Sequence, residues 1–134
     1  MTAGSAASSR WNIAPYFLVR DVVETANWYR DRLGFRYERF WGEPPRFCMV
    51  WRRGVVIMLS QHENGAVQPN RTAVDGAPWD AYVGVDDADA LLAEFAANGV
   101  IPVRSICDQE YGCRDFDVED CNGYRLCFGQ DLEG

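Results

Sequence analysis

The sequence contains a single histidine, His62, in 134 residues, and none of its five cysteines forms a CxxC pair. Zinc ribbons, thioredoxin-like redox motifs and histidine-rich metal sites are therefore not indicated. An odd number of cysteines also argues against a disulfide framework, so we expect ordinary buried or half-buried thiols.

Long apolar runs and basic stretches are also lacking. No apolar run approaches the roughly 20 residues that a membrane helix needs. The net charge is −7 and no basic patch is present, so we expect neither a membrane nor a nucleic-acid partner. The first ten residues, MTAGSAASSR, lack the apolar segment of a signal peptide. We therefore expect a cytoplasmic protein with a disordered tail over residues 1–12.

Two segments of about 60 residues share one order of predicted elements. In the first, Asp21 caps a helix that ends at Gly34. In the second, Asp86 or Asp87 caps a helix that ends at Asn98-Gly99. One strand precedes each helix and three follow it; the predicted strands are 13–19, 35–41, 46–51 and 55–60, then 79–85, 101–105, 112–119 and 124–129. Residues 61–76 are polar and aperiodic and predict a linker.

The motifs LVRDVVETANWYRDRLGF, VGVDDADALLAEF and DFDVEDCNGYRLCFG resemble those of the glyoxalase/bleomycin-resistance superfamily, also called vicinal oxygen chelate proteins, which includes extradiol dioxygenases. The resemblance extends from Ile13 to Gly129. It implies an α+β fold of two βαβββ modules, over residues 13–60 and 77–134, in one compact domain. The implied mixed β-sheet curls into an open cup with the helices outside. Many relatives are dimers, so a homodimer is expected.

The resemblance also implies where a metal would be held. Its four ligand positions fall on Ala14, Leu59, Asp80 and Cys127. Alanine and leucine cannot coordinate an ion, and a hard carboxylate and a soft thiolate favour different metals. Asp80 and Cys127 remain weak metal candidates, and we expect no cofactor. The chain is closest in character to metal-free bleomycin-resistance-like members.

Strand alternation from these positions predicts an apolar, aromatic cup with a few polar groups. The predicted ligand-binding residues are Tyr16, Leu18, Trp41, Ile57, Leu59, Asp80, Tyr82, Arg125 and Cys127; no catalytic residue is predicted. Two alternatives stay open. In the first, Asp80 pairs with Arg125 and holds two strands in register instead of contacting a ligand. In the second, Trp41 contacts a second subunit instead of closing over a ligand. Phe47, Met49 and Trp51 share one face of the third strand, which alternation alone does not orient.

The leading hypothesis is metal-free binding of a small apolar or cationic molecule, as in antibiotic sequestration, because an aromatic cup is retained without metal ligands. The alternative is a metal-dependent lyase, isomerase or dioxygenase that uses shifted ligands from among Asp80, Cys127, Asp115 and Asp117. A third hypothesis makes Cys127 a reactive thiol activated by Arg125. The sequence does not identify the small-molecule ligand.

Overall fold

The computed structural model describes residues 11–133, so the first ten residues of the predicted disordered tail lie outside the described residues. In chain order the elements are β1 (Tyr16–Leu18), α1 (Val22–Leu33), β2 (Phe40–Trp41), β3 (Phe47–Arg52), β4 (Val55–Ser60), α2 (Asn70–Ala73), β5 (Ala81–Val85), α3 (Ala88–Ala97), β6 (Arg104–Asp108), β7 (Cys113–Glu119) and β8 (Arg125–Asp131). Among residues 11–133, no helix has both the length and the apolar character needed to span a bilayer.

Both long helices begin and end where the sequence predicts. The Asp21 carboxylate accepts the backbone N–H of Glu24 at 2.9 Å, and the Asp87 carboxylate accepts that of Ala90 at 3.0 Å. These bonds satisfy N–H groups that the first turn leaves without a helical partner. Gly34 ends α1 with a φ of 72°, a left-handed conformation that glycine adopts without steric cost.

The strands form two four-stranded mixed sheets with the orders β1-β4-β3-β2 and β5-β8-β7-β6. Each sheet pairs its first and last strand in parallel and its remaining strands antiparallel. This is the predicted α+β arrangement of two βαβββ modules, and within residues 11–133 the sheets close no barrel. The predicted linker differs in one respect, since it contains the short helix α2.

One face of each sheet packs against the long helix of its module, and we call it the helix face; the opposite face is the cup face. In the first module, α1 buries Val22, Ala26, Tyr29 and Leu33 against β3 and β4. In the second module, Phe95 of α3 packs edge-to-face on Phe128, with ring centroids 5.2 Å apart. Burial of these side chains in one continuous cluster stabilises the domain.

The register of β4 corrects one prediction. Leu59 pairs with Phe17 and therefore shares its helix face, where Leu59 is 0% and Ile57 is 1% exposed. The prediction that Ile57 and Leu59 line the cup is wrong. Residues 55–59 are all apolar, so alternation could not decide which set faces the helix, and buried packing against α1 decides it.

The two modules are joined by contacts from the β7–β8 turn to the first module. Phe17 stacks on Tyr124 with ring centroids 4.2 Å apart, and the Tyr124 hydroxyl donates to the Leu18 carbonyl at 2.6 Å. The buried Tyr29 hydroxyl donates to the buried Asp120 carboxylate at 2.6 Å. The turn of the second module is thus part of the core of the first.

Candidate functional site

The cup face of the first module is apolar and rich in aromatic and methionine side chains. Register places Tyr16, Met58 and Met49 in one row across β1, β4 and β3. A second row contains Leu18, Ser60, Phe47 and Trp41, and Trp51 pairs with Val56. The aromatic face of β3, which the sequence did not orient, is therefore the cup face, and it adjoins the predicted residues Tyr16, Leu18 and Trp41.

Two of these aromatic rings remain accessible. Tyr16 is 54% exposed, and its hydroxyl lies 3.3 Å from Nε2 of His62. Trp41 lies edge-to-face on Phe47, with centroids 5.6 Å apart, and the Arg39 guanidinium lies 4.6 Å from the Trp41 ring centroid. Exposed, partly supported aromatic rings of this kind offer stacking area to a ligand or to another protein surface.

The cup face of the second module is polar. Register places Tyr82, Cys127, Asp117 and Arg104 in one row across the four strands. The neighbouring row holds Gly84, Gly129 and Asp115. Alternation had predicted that Tyr82 and Cys127 share this face, and the pairing of β5 with β8 places them there.

Arg104 holds two buried aspartates at the centre of this face. Its Nη2 donates to Oδ1 of Asp115 at 2.5 Å and to Oδ1 of Asp117 at 2.9 Å, and its Nε donates to Oδ2 of Asp117 at 2.9 Å. Asp115 is 0% and Asp117 is 3% exposed. Charges buried this deeply need such a partner, because their desolvation is costly when they are left unpaired.

Three further donors satisfy Asp115. The hydroxyls of Tyr111 and Tyr82 donate to its Oδ2 at 2.5 and 2.9 Å, and Nε2 of Gln109 donates to Oδ1 at 3.0 Å. Burial disfavours the charge of Asp115, but hydrogen bonds from Tyr111, Arg104 and Gln109 outweigh it and lower its pKa. Burial and Asp115 together raise the pKa of Tyr111, so the phenol keeps its proton.

Gly129 makes room for the Tyr82 ring. A Cβ atom on Gly129 would collide with the hydroxyl and ring carbons of Tyr82. Gly84, in the same row on the adjacent strand, has open space where its Cβ would lie. The absence of a side chain at residue 129 thus lets Tyr82 cross β8 and reach Asp115.

Cys127 lies beneath this network rather than open to solvent. It is 0% exposed, and its Sγ lies 3.6 Å from Nη2 of Arg104. Burial and the neighbouring Asp117 raise the pKa of the thiol. The cation beside Cys127 is Arg104, not Arg125 as the sequence suggested, and it is already bound to two carboxylates. The hypothesis of an activated Cys127 thiolate is therefore disfavoured.

Asp80 and Arg125 have roles other than a mutual ion pair. The Asp80 carboxylate accepts the backbone N–H groups of Arg125 at 2.8 Å and Asn70 at 2.6 Å. The Arg125 side chain donates to Glu119 at 3.1 Å instead. Asp80 does fix the approach of β5 to β8, as one alternative held, but it does so through the backbone.

The four positions implied for a metal do not fit one. Ala14 precedes β1, Leu59 lies on the helix face, Asp80 is bound to backbone N–H groups, and Cys127 is a protonated thiol beside Arg104. Among residues 11–133, no three His, Cys, Asp or Glu side chains are arranged to hold a metal ion. The guanidinium of Arg104 is the cation that binds both cup aspartates, Asp115 and Asp117.

An open depression of about 460 Å³ lies over this polar face, and we call it the second-module depression. Its walls combine guanidinium, aromatic and apolar groups; they are Arg71, Pro78, Trp79, Val103, Arg104, Gln109, Tyr111, Asp117 and Arg125. Of the predicted binding residues, only Arg125 belongs to this lining. Ligand pockets commonly have volumes of roughly 300–1,000 Å³.

Sequence reasoning missed Arg104, Gln109, Tyr111 and Trp79 as members of this site. One signal was present: Asp115 and Asp117 flank Phe116, so both carboxylates must share the face opposite a core aromatic residue. Two carboxylates on a half-buried face require a cation. The identity of that cation, 11 residues before Asp115, depends on the pairing of β6 with β7.

Fold and site together define a two-module βαβββ protein whose cup carries an arginine-bound carboxylate pair. The model of the Glyoxalase/Bleomycin resistance protein/Dioxygenase superfamily matches residues 13–128, and the chain belongs to this superfamily. No curated protein sequence is significantly similar to it.

Solved structures share the fold at low sequence identity. TioX from Micromonospora sp. ML1 is 20% identical, with a TM-score of 0.71 and coverage of 92% of this chain and 100% of TioX. A glyoxalase-related enzyme from Clostridium phytofermentans is 16% identical, with a TM-score of 0.72 and coverage of 91% and 95%. The bleomycin-binding protein from Streptomyces verticillus, in complex with copper(II)-bleomycin, is 23% identical, with a TM-score of 0.64 and coverage of 91% and 95%.

Proposed function

We propose that this protein binds a small molecule with an apolar or aromatic body in its cup, without a metal and without chemical turnover. The observation that carries the proposal is the position of Arg104, which binds the two buried cup aspartates. The guanidinium occupies the position between Asp115, Asp117 and Cys127 where an ion would need the same ligands. Exposed aromatic side chains remain on both modules. Such a cup provides contact area but no electrophile.

The similarity to the bleomycin-binding protein supports sequestration of an antibiotic as the biological use of such binding. Bleomycin is therefore the first ligand to test. The apolar face around Met49, Met58 and Trp51 is the best-supported contact for the apolar part of a ligand. The homodimer and the cytoplasmic location both stay predictions.

The experiment combines metal analysis with a ligand screen. Elemental analysis of the purified protein is expected to show no stoichiometric divalent metal. A thermal-shift screen that includes bleomycin is expected to find molecules that raise the melting temperature, since a ligand that binds only the folded state stabilises it. A stoichiometric metal ion bound in the cup, with turnover that depends on it, would overturn the proposal.

The alternative, a metal-dependent lyase, isomerase or dioxygenase, requires shifted ligands, and among its four candidates Asp115 and Asp117 are the two buried carboxylates of the cup. Arg104 bonds to both, so an ion would have to displace this guanidinium from two buried carboxylates. Activity assays with added divalent metals on a hemithioacetal and a catechol test this alternative. We expect no turnover with either compound.

A further inference from the structure

The walls of the second-module depression offer hydrogen-bond donors that the protein itself does not use. Arg125 donates from Nε to Glu119 at 3.1 Å, and Arg71 donates from Nη1 to the carbonyl of Ala77 at 2.9 Å. Within residues 11–133, neither of these two side chains donates a hydrogen bond to any other acceptor. A guanidinium has five N–H donors, so most of the donors of Arg71 and Arg125 remain open to a ligand.

The three aspartates at the depression, in contrast, already accept hydrogen bonds at both oxygens. Both oxygens of Asp117 accept from Arg104. Both oxygens of Asp80 accept backbone N–H groups, and both oxygens of Asp115 accept from side-chain donors. A ligand group that accepts would therefore meet the unused N–H donors of Arg71 and Arg125, whereas a group that donates would meet carboxylates that are already bonded.

Arg71 adds a charge without a compensating partner. It forms no ion pair with any carboxylate of residues 11–133, whereas Arg104 and Arg125 each have one or more. Arg71 is only half exposed and is held in place through Ala77. A planar guanidinium fixed in this way is suited to bidentate contact with a carboxylate.

The remaining wall is aromatic. Trp79 lies edge-to-face on Tyr82 with centroids 5.3 Å apart, and Tyr82 lies at 72° to Tyr111 with centroids 6.4 Å apart. The hydroxyls of both tyrosines are directed to Asp115. Tyr111, which lines the depression, therefore presents its ring to the ligand rather than its polar end, while Tyr82 contacts the ring of Trp79. The volume of about 460 Å³ accommodates one or two fused rings.

We propose that the second-module depression recognises an aromatic carboxylate, with the carboxylate bound by Arg125 and Arg71 and the ring system lying against Trp79 and Tyr111. This inference rests on the proposed function and specifies the ligand class for one part of the cup. It differs from the cationic ligand of the leading hypothesis, because the unused donors of the depression belong to Arg71 and Arg125, whereas Asp115 and Asp117 are already bound to Arg104.

The test uses three probes with the same ring and different charge: 2-naphthoate, 2-naphthamide and 2-naphthylmethylammonium at pH 7. Titrations of the full chain are followed by amide and Trp79 indole N–H shifts in NMR spectra. We expect 2-naphthoate to bind roughly tenfold more tightly than 2-naphthamide, because charge-assisted hydrogen bonds are the stronger ones. Arg125→Gln and Arg71→Gln should each reduce this preference, and the double variant should remove it.

Arg30→Gln is the matched control, because Arg30 is an exposed arginine on α1 whose one ion pair within residues 11–133 is with its neighbour Asp31. Equal loss of preference in Arg30→Gln would show that the preference reflects overall charge, and would overturn the inference. Equal or tighter binding of the amide or the ammonium would also overturn it, while the proposed small-molecule function would stand. Absence of any shift in the depression with all three probes would count against both.

Discussion

The hydroxyl of Tyr29, in helix α1, donates a 2.6 Å hydrogen bond to Oδ2 of Asp120, in the β7–β8 turn of the other module. Both residues are buried, and Oδ1 of Asp120 also accepts the backbone N–H groups of Asn122 and Tyr124. One carboxyl group therefore shapes its own turn and joins the two modules. The burial of this carboxyl group makes the stability of the protein depend on pH.

Burial raises the pKa of Asp120 to about 6 from an ordinary 3.8, although the hydrogen bonds from Tyr29 and the turn oppose the rise. The folded protein thus binds this proton more tightly than the unfolded chain does. The contribution of this bound proton to the free energy of unfolding is fully present below pH 3.8 and is lost as the pH rises through about 6. The loss amounts to about 3 kcal/mol.

Urea unfolding of the wild type and of Asp120→Asn between pH 4 and 7 measures this contribution. We expect the stability difference between the two proteins to change across that interval in favour of Asp120→Asn as the pH rises. A difference that stays constant over the whole interval would show that Asp120 titrates normally in the folded state.

Removal of Arg104 should destabilise the second module. Arg104→Ala leaves Asp115 and Asp117 buried without their cation, and we expect a loss of about 3 kcal/mol in the free energy of unfolding at pH 7. Arg104→Lys keeps the charge but not the fork of donors, so it should restore only part of the stability. Chemical denaturation measures both variants.

Arg114→Ala is the control for that comparison. Arg114 also binds two aspartates, Asp89 at 2.9 Å and Asp108 at 2.9 Å, but these carboxylates are exposed. Its removal should therefore have a much smaller effect, since exposed ion pairs contribute little. Equal losses in Arg104→Ala and Arg114→Ala would contradict the assigned importance of burial.

Gly129→Ala should displace the Tyr82 ring from Asp115. The added methyl group collides with that ring, and overpacking of this kind costs about 1–3 kcal/mol. Gly84→Ala adds the same group in the same row, where space is open, and should be nearly neutral. Thermal unfolding compares the two, and a crystal structure of Gly129→Ala would show the Tyr82 position.

Cys127 should be unreactive in the folded protein. Its burial raises the pKa and blocks access, whereas Cys107 is exposed at the edge of the same face. We expect iodoacetamide at pH 8 to modify Cys107 readily and Cys127 only on unfolding, as measured by peptide mass spectrometry. Comparable rates at the two thiols would revive the hypothesis of a reactive Cys127.

The elements that could be predicted from sequence are those with local signals. Asp21, Gly34 and Asp87 each act on the backbone within a few residues, and the helix boundaries follow from them. The polar cup face of β7 also follows, since Asp115 and Asp117 alternate with the buried Phe116 and Val118.

What could not be predicted depends on pairing between distant strands. Residues 55–59 are uniformly apolar, so only packing against α1 fixes the orientation of Leu59. Arg104 enters the cup because β6 pairs with β7, and an irregularity between Arg104 and Cys107 shifts that pairing. Neither fact leaves a local trace in the sequence.

The β7–β8 hairpin carries Asp120 at its turn and both Asp117 and Cys127 along its strands. Seven residue pairs hold these strands in register over their whole length. Thr25 and Tyr29 of α1 contact this hairpin at its turn, through Asn122 and Asp120. Because the same hairpin carries Asp117 at the depression, the proposed ligand site is joined through continuous backbone pairing to the seam between the modules.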